Sequence, residues 1–169
     1  MRTGRAALVA GLLLMGAVPA HAWMTFVARD VATGARIGKG ARVALEKQDP
    51  ALSIACMPDG LTATFETGLP ITAETKLADM SVPISVAADG GEYDPIPTTA
   101  ESFDSGSGPT IRLRLSADEA MGLVEYVLGA ETSIQVSYRV GTEELAHASF
   151  PNDSAPISIG AVLSECEER

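Results

Sequence analysis

Histidine, cysteine and aromatic residues are all scarce in this chain of 169 residues. It has two histidines, two cysteines, one tryptophan, three tyrosines and four phenylalanines. Each scarcity removes a class of chemistry. His21 falls in a leader-like segment, which leaves His147 as the sole histidine of the remaining chain. A hydrolytic relay needs a base beside its nucleophile. His147 sits in a strand-like run, "ELAHASF", and no serine lies in a GxSxG elbow. A structural zinc site takes about four nitrogen or sulfur ligands, more than one histidine and two cysteines supply. The cysteines do not have the CxxC spacing of a redox pair. Glycine is common, yet no stretch has the GxGxxG or Walker pattern that cradles phosphate, and no cofactor is expected. So few aromatics also argue against the stacking platforms of glycan-cleaving clefts.

Basic residues are few as well, 12 Lys+Arg against 22 Asp+Glu, for a formal net charge of −10. A surface of that sign repels nucleic acid and anionic lipid. It favours solubility or a basic protein partner.

What is present begins with "MRTGRAALVAGLLLMGAVPAHA". Arg2 and Arg5 form a positive start, Ala6 to Val18 is apolar, and Ala20-His21-Ala22 is a small-x-small cleavage site. These are the parts of a secretory signal peptide. The apolar run is shorter than the roughly 20 residues of a membrane span, so no membrane insertion is expected after cleavage. Residues 1–22 are thus expected to be removed after Ala22, leaving a single β-rich domain over 23–169 in the periplasm or outside the cell. Removing 22 of 169 residues leaves 147, a size that suits one domain. The two lost arginines bring Lys+Arg to 10 against 22 acids, a formal charge of −12.

Export settles the cysteines. Two cysteines in one small domain of an oxidising compartment usually pair. Cys56 in "SIACMPDG" and Cys166 in "VLSECEER" are therefore expected to form a structural disulfide that ties the chain end inward.

Apolar residues then alternate with period two along most of the chain. Strands are expected over 23–30, 41–48, 51–57, 61–67, 82–86, 98–103, 110–116, 134–140 and 143–150, with "DSGSGP" as a Gly-rich turn between 98–103 and 110–116. Pro58-Asp59-Gly60 joins 51–57 to 61–67 as a hairpin. Ile111, Leu113 and Leu115 point one way, Arg112 and Arg114 the other, which gives one wet face. The period changes at "SADEAMGLVEYVLGAE". Ser116 and Glu119 form a capping box, and Ala120, Leu123, Val124, Val127 and Leu128 make a core stripe. Gly129 is a natural stop. This predicts a helix over about 117–128. Residues 151–166 are ambiguous between strand and a short terminal helix. The fold class is mainly β (α+β): an antiparallel, β-sandwich-like domain with one amphipathic helix and room for a short C-terminal one.

Chemistry-bearing clusters are few. Glu66 with Glu74, or Glu92 with Asp94, could pair for glycoside chemistry, but carry no spacing signal in so acidic a chain. Asp89, Glu92 and Asp94 in "DGGEYDP" are the residues that would hold calcium, which takes six to eight oxygens; their spacing is not that of an EF-hand. A solvated turn explains Asp89-Gly90-Gly91 equally well. Asn152-Asp153-Ser154 has the form of a glycosylation sequon and is read as a loop. Between Tyr93 and Phe103 lies a Pro-, Thr- and Ser-rich stretch. It is expected to be a polar connection that could serve recognition through Glu92, Tyr93, Asp94, Glu101 and Phe103.

The element order resembles small exported bacterial proteins of the VasI type, accessory to type VI secretion. The matching features are a Trp near the mature start, "LSIAC" before a hairpin, "ISVAADGG", a helix before "SIQVSYRVG", and "ASFPNDSAPI" leading to Cys166. Where those proteins tend to show Arg-x-Asp, this chain has Ala87-Ala88-Asp89. The invasion-associated locus B proteins share a similar order. The resemblance implies a non-enzymatic periplasmic accessory role and carries over no functional residue. The expected function is that of a non-catalytic exported protein that binds another envelope protein. The alternatives are a carboxylate-dependent, calcium-assisted periplasmic enzyme, or an inhibitor or immunity protein presenting the 92–109 segment to a cationic enzyme.

Overall fold

Alternating apolar residues bury one side of a strand and leave the other wet, and here that pattern builds two antiparallel sheets. The computed structural model describes residues 22–30, 32–45, 50–104, 106 and 108–168. The leader expected over 1–22 lies outside the described residues except for Ala22.

The first sheet has six strands: β1 (Met24–Arg29), β2 (Arg36–Ala44), β3 (Ala51–Met57), β4 (Gly60–Pro70), β7 (Thr99–Asp104) and β8 (Pro109–Leu115), in the order β1-β2-β3-β4-β8-β7. The second has four: β5 (Ile84–Ala88), β6 (Asp94–Ile96), β9 (Ser133–Val140) and β10 (Glu143–Pro151), in the order β10-β9-β5-β6. Helices α1 (Ala117–Gly129) and α2 (Ala155–Glu167) pack against both the first sheet and each other. A short 3₁₀ turn spans Leu77–Met80.

One core joins these layers. Val43, Leu52, Ile54, Phe65, Leu113 and Leu115 from the first sheet meet Ile84, Val86, Ile134, Tyr138 and Phe150 from the second, with α1 and α2 beside them. Phe65 and Phe150 touch edge to face, centroids 6.3 Å apart, the arrangement the ring quadrupole prefers. The expected antiparallel β-sandwich-like α+β fold is the one observed.

The hairpin 51–57/60–70 pairs in register, Cys56 with Leu61 and Leu52 with Phe65. The capping box is complete: Glu119 N–H donates to Ser116 Oγ, and Ser116 N–H donates to Glu119 Oε2. Cys56 and Cys166 form a disulfide with their Cα atoms 5.5 Å apart. It fixes the last turns of α2 to β3, and an Arg36–Glu165 ion pair adds a second tie, to β2.

Several local expectations are corrected. β2 begins at Arg36, five residues before the expected 41; residues 46–49 lie outside the described residues. The terminal segment is a full helix of 13 residues, "PISI" included, with Ala155, Ser158, Ile159 and Val162 buried. Leu128 is 43% exposed, so the α1 stripe ends at Val127. Gly129 does not end α1 by a left-handed turn. Ala130 leaves it extended (φ −77°, ψ 138°), and Asn152 caps the vacated carbonyls from β10's end. The stretch between Tyr93 and Phe103 is not one polar connection: residues 94–96 pair with β5, while the strand expected over 98–103 forms as β7 and pairs with β8. Pro97 has no N–H to extend the ladder, and the chain crosses there from one sheet to the other.

Candidate functional site

The outer face of the six-stranded sheet carries a cleft of about 760 Å³. Its floor follows from strand register. Phe26, Gly40, Ala55 and Thr62 fall in one row across β1 to β4. Met24, Arg42, Ser53, Thr64, Arg114 and Thr99 form the next row, running on through β8 to β7. Glu66, Arg112 and Glu101 form a third, on β4, β8 and β7.

The β1 end is apolar. Phe26, 38% exposed, sets the tip of its ring against Gly40; a Cβ on that glycine would come within 2.3 Å of the ring. At Gly38 a Cβ would meet the backbone oxygen of Cys56 at 2.2 Å. Gly40 thus admits the aromatic ring of β1 and Gly38 the backbone of β3, a close approach being the usual meaning of glycine inside a strand. Ala28, Ile37, Met57 and Leu61 continue the apolar lining.

The β8 end is charged, and its charges are largely committed. Arg42 Nη2 lies 2.7 Å from Glu66 Oε2. Glu66 is 7% exposed and nearly desolvated, while the Arg42 side chain keeps 29% exposure. Arg112 Nη2 lies 2.7 Å from Glu101 Oε1, and its guanidinium sits 4.5 Å from the centroid of the Phe103 ring, a cation–π contact. Arg114 is exposed and makes no ion pair among the described residues. Thr62 Oγ1 is buried without a hydrogen-bond partner among the described residues. The result is an open trough with an apolar end rimmed by the exposed Asp59, a floor of hydroxyls and, in Arg114, a cation without an ion pair among the described residues.

Of the acids singled out from the sequence, Glu66 and Glu101 meet here, each against its own arginine. Glu74 lies elsewhere, exposed beside Thr72, whose hydroxyl accepts from the Glu74 N–H. The segment proposed for recognition is divided. Glu101 lines the trough from β7 and Phe103, on the same strand, stacks on Arg112, whereas Glu92, Tyr93 and Asp94 lie at the edge of the second sheet.

The calcium candidates also have separate duties. Asp89 adopts φ +52° and accepts from the N–H groups of Glu131, Thr132 and Ser133 at 2.7, 2.7 and 2.9 Å, and from Thr132 Oγ1 at 2.7 Å. These donors favour the carboxylate, led by the Glu131 N–H, and hold its pKa far below the ordinary range. Asp94 accepts from the Tyr126 hydroxyl, and that bond raises the Tyr126 pKa. Glu92 is exposed between them. Among the described residues no three His, Cys, Asp or Glu side chains are grouped to hold a metal.

His147 lies on the outer face of the second sheet, in a cleft of about 580 Å³ with Ser85, Tyr93, Ser137, Arg139 and Glu144. Ser137, one of the two serines in this group, is turned away from a relay. Ser137 Oγ donates to Glu144 Oε1 at 2.6 Å, while His147 Nδ1 is 3.8 Å from that oxygen. The Ser137 hydroxyl, then Arg139, lowers the Glu144 pKa. Tyr93 OH donates to Gln135 Oε1 at 3.0 Å.

The sequon is a structural element. Asn152 is 4% exposed, and its Nδ2 donates to Val127 O at 2.9 Å and Ala130 O at 2.6 Å. Both amide protons are used, so the position has no room for a glycan.

Sequence reasoning found the wet faces of β4 and β8 but not the trough. Gly38 and Gly40, alternating inside "RIGKGARVA", were the available signal of a close approach. Comparison with protein-family models, curated proteins and solved structures gives no match.

Proposed function

We propose that this protein is a non-catalytic binding domain of the cell envelope and that the trough on the six-stranded sheet is its binding surface for another envelope protein. One observation carries the reading. Of the three carboxylates that line the trough, the two on its floor, Glu66 and Glu101, each stand 2.7 Å from an arginine and the third, Asp59, is exposed on the β3–β4 turn, while Phe26 and Arg114 remain exposed at opposite ends. A carboxylate committed to a guanidinium in an ion pair is not free to meet the reacting atoms of a substrate. An accessible aromatic with an unspent cation is instead a common recognition pairing.

Export of the domain rests on the leader at 1–22. In support, Trp23, the first residue after the expected cleavage site, is built into the core. That residue is 3% exposed; its indole N–H donates to Pro151 O at 3.1 Å, and its carbonyl accepts from Ser158 Oγ at 3.2 Å. An accessory role in secretion, as the VasI resemblance implies, belongs to the same proposal.

Site-specific photo-crosslinking in the native host tests the reading. A benzoylphenylalanine at Met57, in the trough, is expected to capture one discrete envelope protein. The same probe at Ser149, on β10 of the other sheet, is expected to capture none. Capture from both positions, or from neither, would overturn the proposal.

A further inference from the structure

We infer that the trough takes an extended polypeptide segment laid across the strands, with an apolar side chain over Phe26 and a carboxylate at Arg114. This rests on the reading above and names the ligand's chemistry.

Length decides first. Phe26 is on β1 and Arg114 on β8, with β2, β3 and β4 between them on one face. Four steps of about 4.8 Å separate the two by roughly 19 Å. An extended peptide rises about 3.3 Å per residue, so roughly six residues bridge the ends. A small carboxylic acid could touch only one.

Charge decides second. Arg42 and Arg112 are each paired with a glutamate, so neither offers a fresh cation. Arg114 does, in a chain of net charge −10 whose surface otherwise discourages acidic ligands. A carboxylate at that one position gains a charge-assisted bond found nowhere else in the trough.

The middle decides between a peptide and an acyl chain, which could also span this length. Between the ends lie the side chains of Ser53, Thr62 and Thr64; Thr62 Oγ1 is itself buried, which leaves Ser53 and Thr64 as the hydroxyls that face a ligand. An acyl chain would cover these hydroxyls and return no hydrogen bonds, and buried polar groups left unpaired weaken binding. A peptide backbone carries a donor and an acceptor at each residue. The apolar end, Phe26 with Ala28, Met57 and Leu61, then receives one side chain as an anchor.

Panning a random-peptide display library on the disulfide-bonded mature protein, with synthetic fluorescent copies measured by polarisation, tests the inference. Enriched sequences should place an aromatic or aliphatic residue five or six positions from Asp or Glu. Arg114→Glu should select Lys or Arg at the acidic position. Phe26→Ala should weaken a selected peptide about tenfold, the loss expected for one partly buried aromatic contact. Both residues are exposed, so unchanged melting temperatures would show that the variants fold. Enrichment without the acid or the spacing, unchanged selection by Arg114→Glu, no enrichment, or tight loading of palmitate in place of peptide would each overturn it. If the Met57 crosslink still captures a protein while the library result fails, the peptide inference alone falls. If the crosslink fails too, the binding reading falls with it.

Discussion

Asn152 caps a helix to which it does not belong: its Nδ2 lies 2.6 Å from the carbonyl oxygen of Ala130, the residue that leaves α1. The second amide proton reaches Val127 O, one of the α1 carbonyls with no partner within its own helix. β10 delivers the side chain, so the end of the second sheet and the end of α1 hold one another in place.

Asn152→Ala is therefore expected to cost about 2–3 kcal/mol, two buried bonds at about 1 kcal/mol each plus the desolvation of the abandoned carbonyls. Asn152→Asp should be worse, because a carboxylate would face two carbonyl oxygens. Urea unfolding measures both. A loss below half a kcal/mol for Asn152→Ala would show that solvent reaches the helix end.

The disulfide closes a sequence separation of 110 residues. The chain-entropy model gives such a loop about 4–5 kcal/mol. Cys56→Ser with Cys166→Ser is expected to lower stability toward that value, while α2 stays docked through Ala155, Ile159 and Val162. Hydrogen exchange should quicken most in the last turns, near Leu163–Glu167. Uniform loss of protection along the whole of α2 would mean the bond, and not packing, holds the helix.

Acid stability should depend on Asp89. Its folded pKa is depressed, so its contribution is present above the ordinary carboxylate pKa of about 3.9 and is lost as pH falls below that toward the folded value. Asp89→Asn should lower the melting temperature at pH 7 and flatten the fall in stability below pH 4. Parallel pH–melting curves for variant and wild type would refute the assignment.

Two glycines of β2 should respond differently to the same change. In Gly38→Ala the new methyl meets the backbone oxygen of Cys56, which the sheet holds in place, and a loss of about 1–3 kcal/mol is expected. In Gly40→Ala it meets the end of the Phe26 ring, which is exposed enough to swing aside. Stability should change little, and ring exposure, seen by near-ultraviolet spectroscopy, should rise. Equal losses would mean that the ring is as fixed as the backbone.

Much of the architecture was legible residue by residue. "LSIAC" and "LTATFET" around Pro58-Asp59-Gly60 specify a hairpin by local alternation and turn chemistry, and they form one. Ser116 and Glu119 specify a helix start within a single turn. The trough was not legible in the same way. Glu66 meets Arg42 across β3, and Glu101 meets Arg112 only because β7 folds back on β8. Both partnerships depend on strand order, and β8 pairs with β4 although four elements separate them in the chain. Period two says which side of a strand is wet; it does not say which strand lies alongside.

Sequence alone thus determined the strand faces, the capped helix and, with two cysteines only, the single pairing open to Cys56 and Cys166, because each depends on neighbours in the chain or on composition. Tertiary structure decided that residues 94–96 and 99–104 belong to different sheets, that Asn152 is a buried cap and that Arg114 makes no ion pair among the described residues. Those outcomes depend on which distant groups share a desolvated space, and that is set by packing of the whole core.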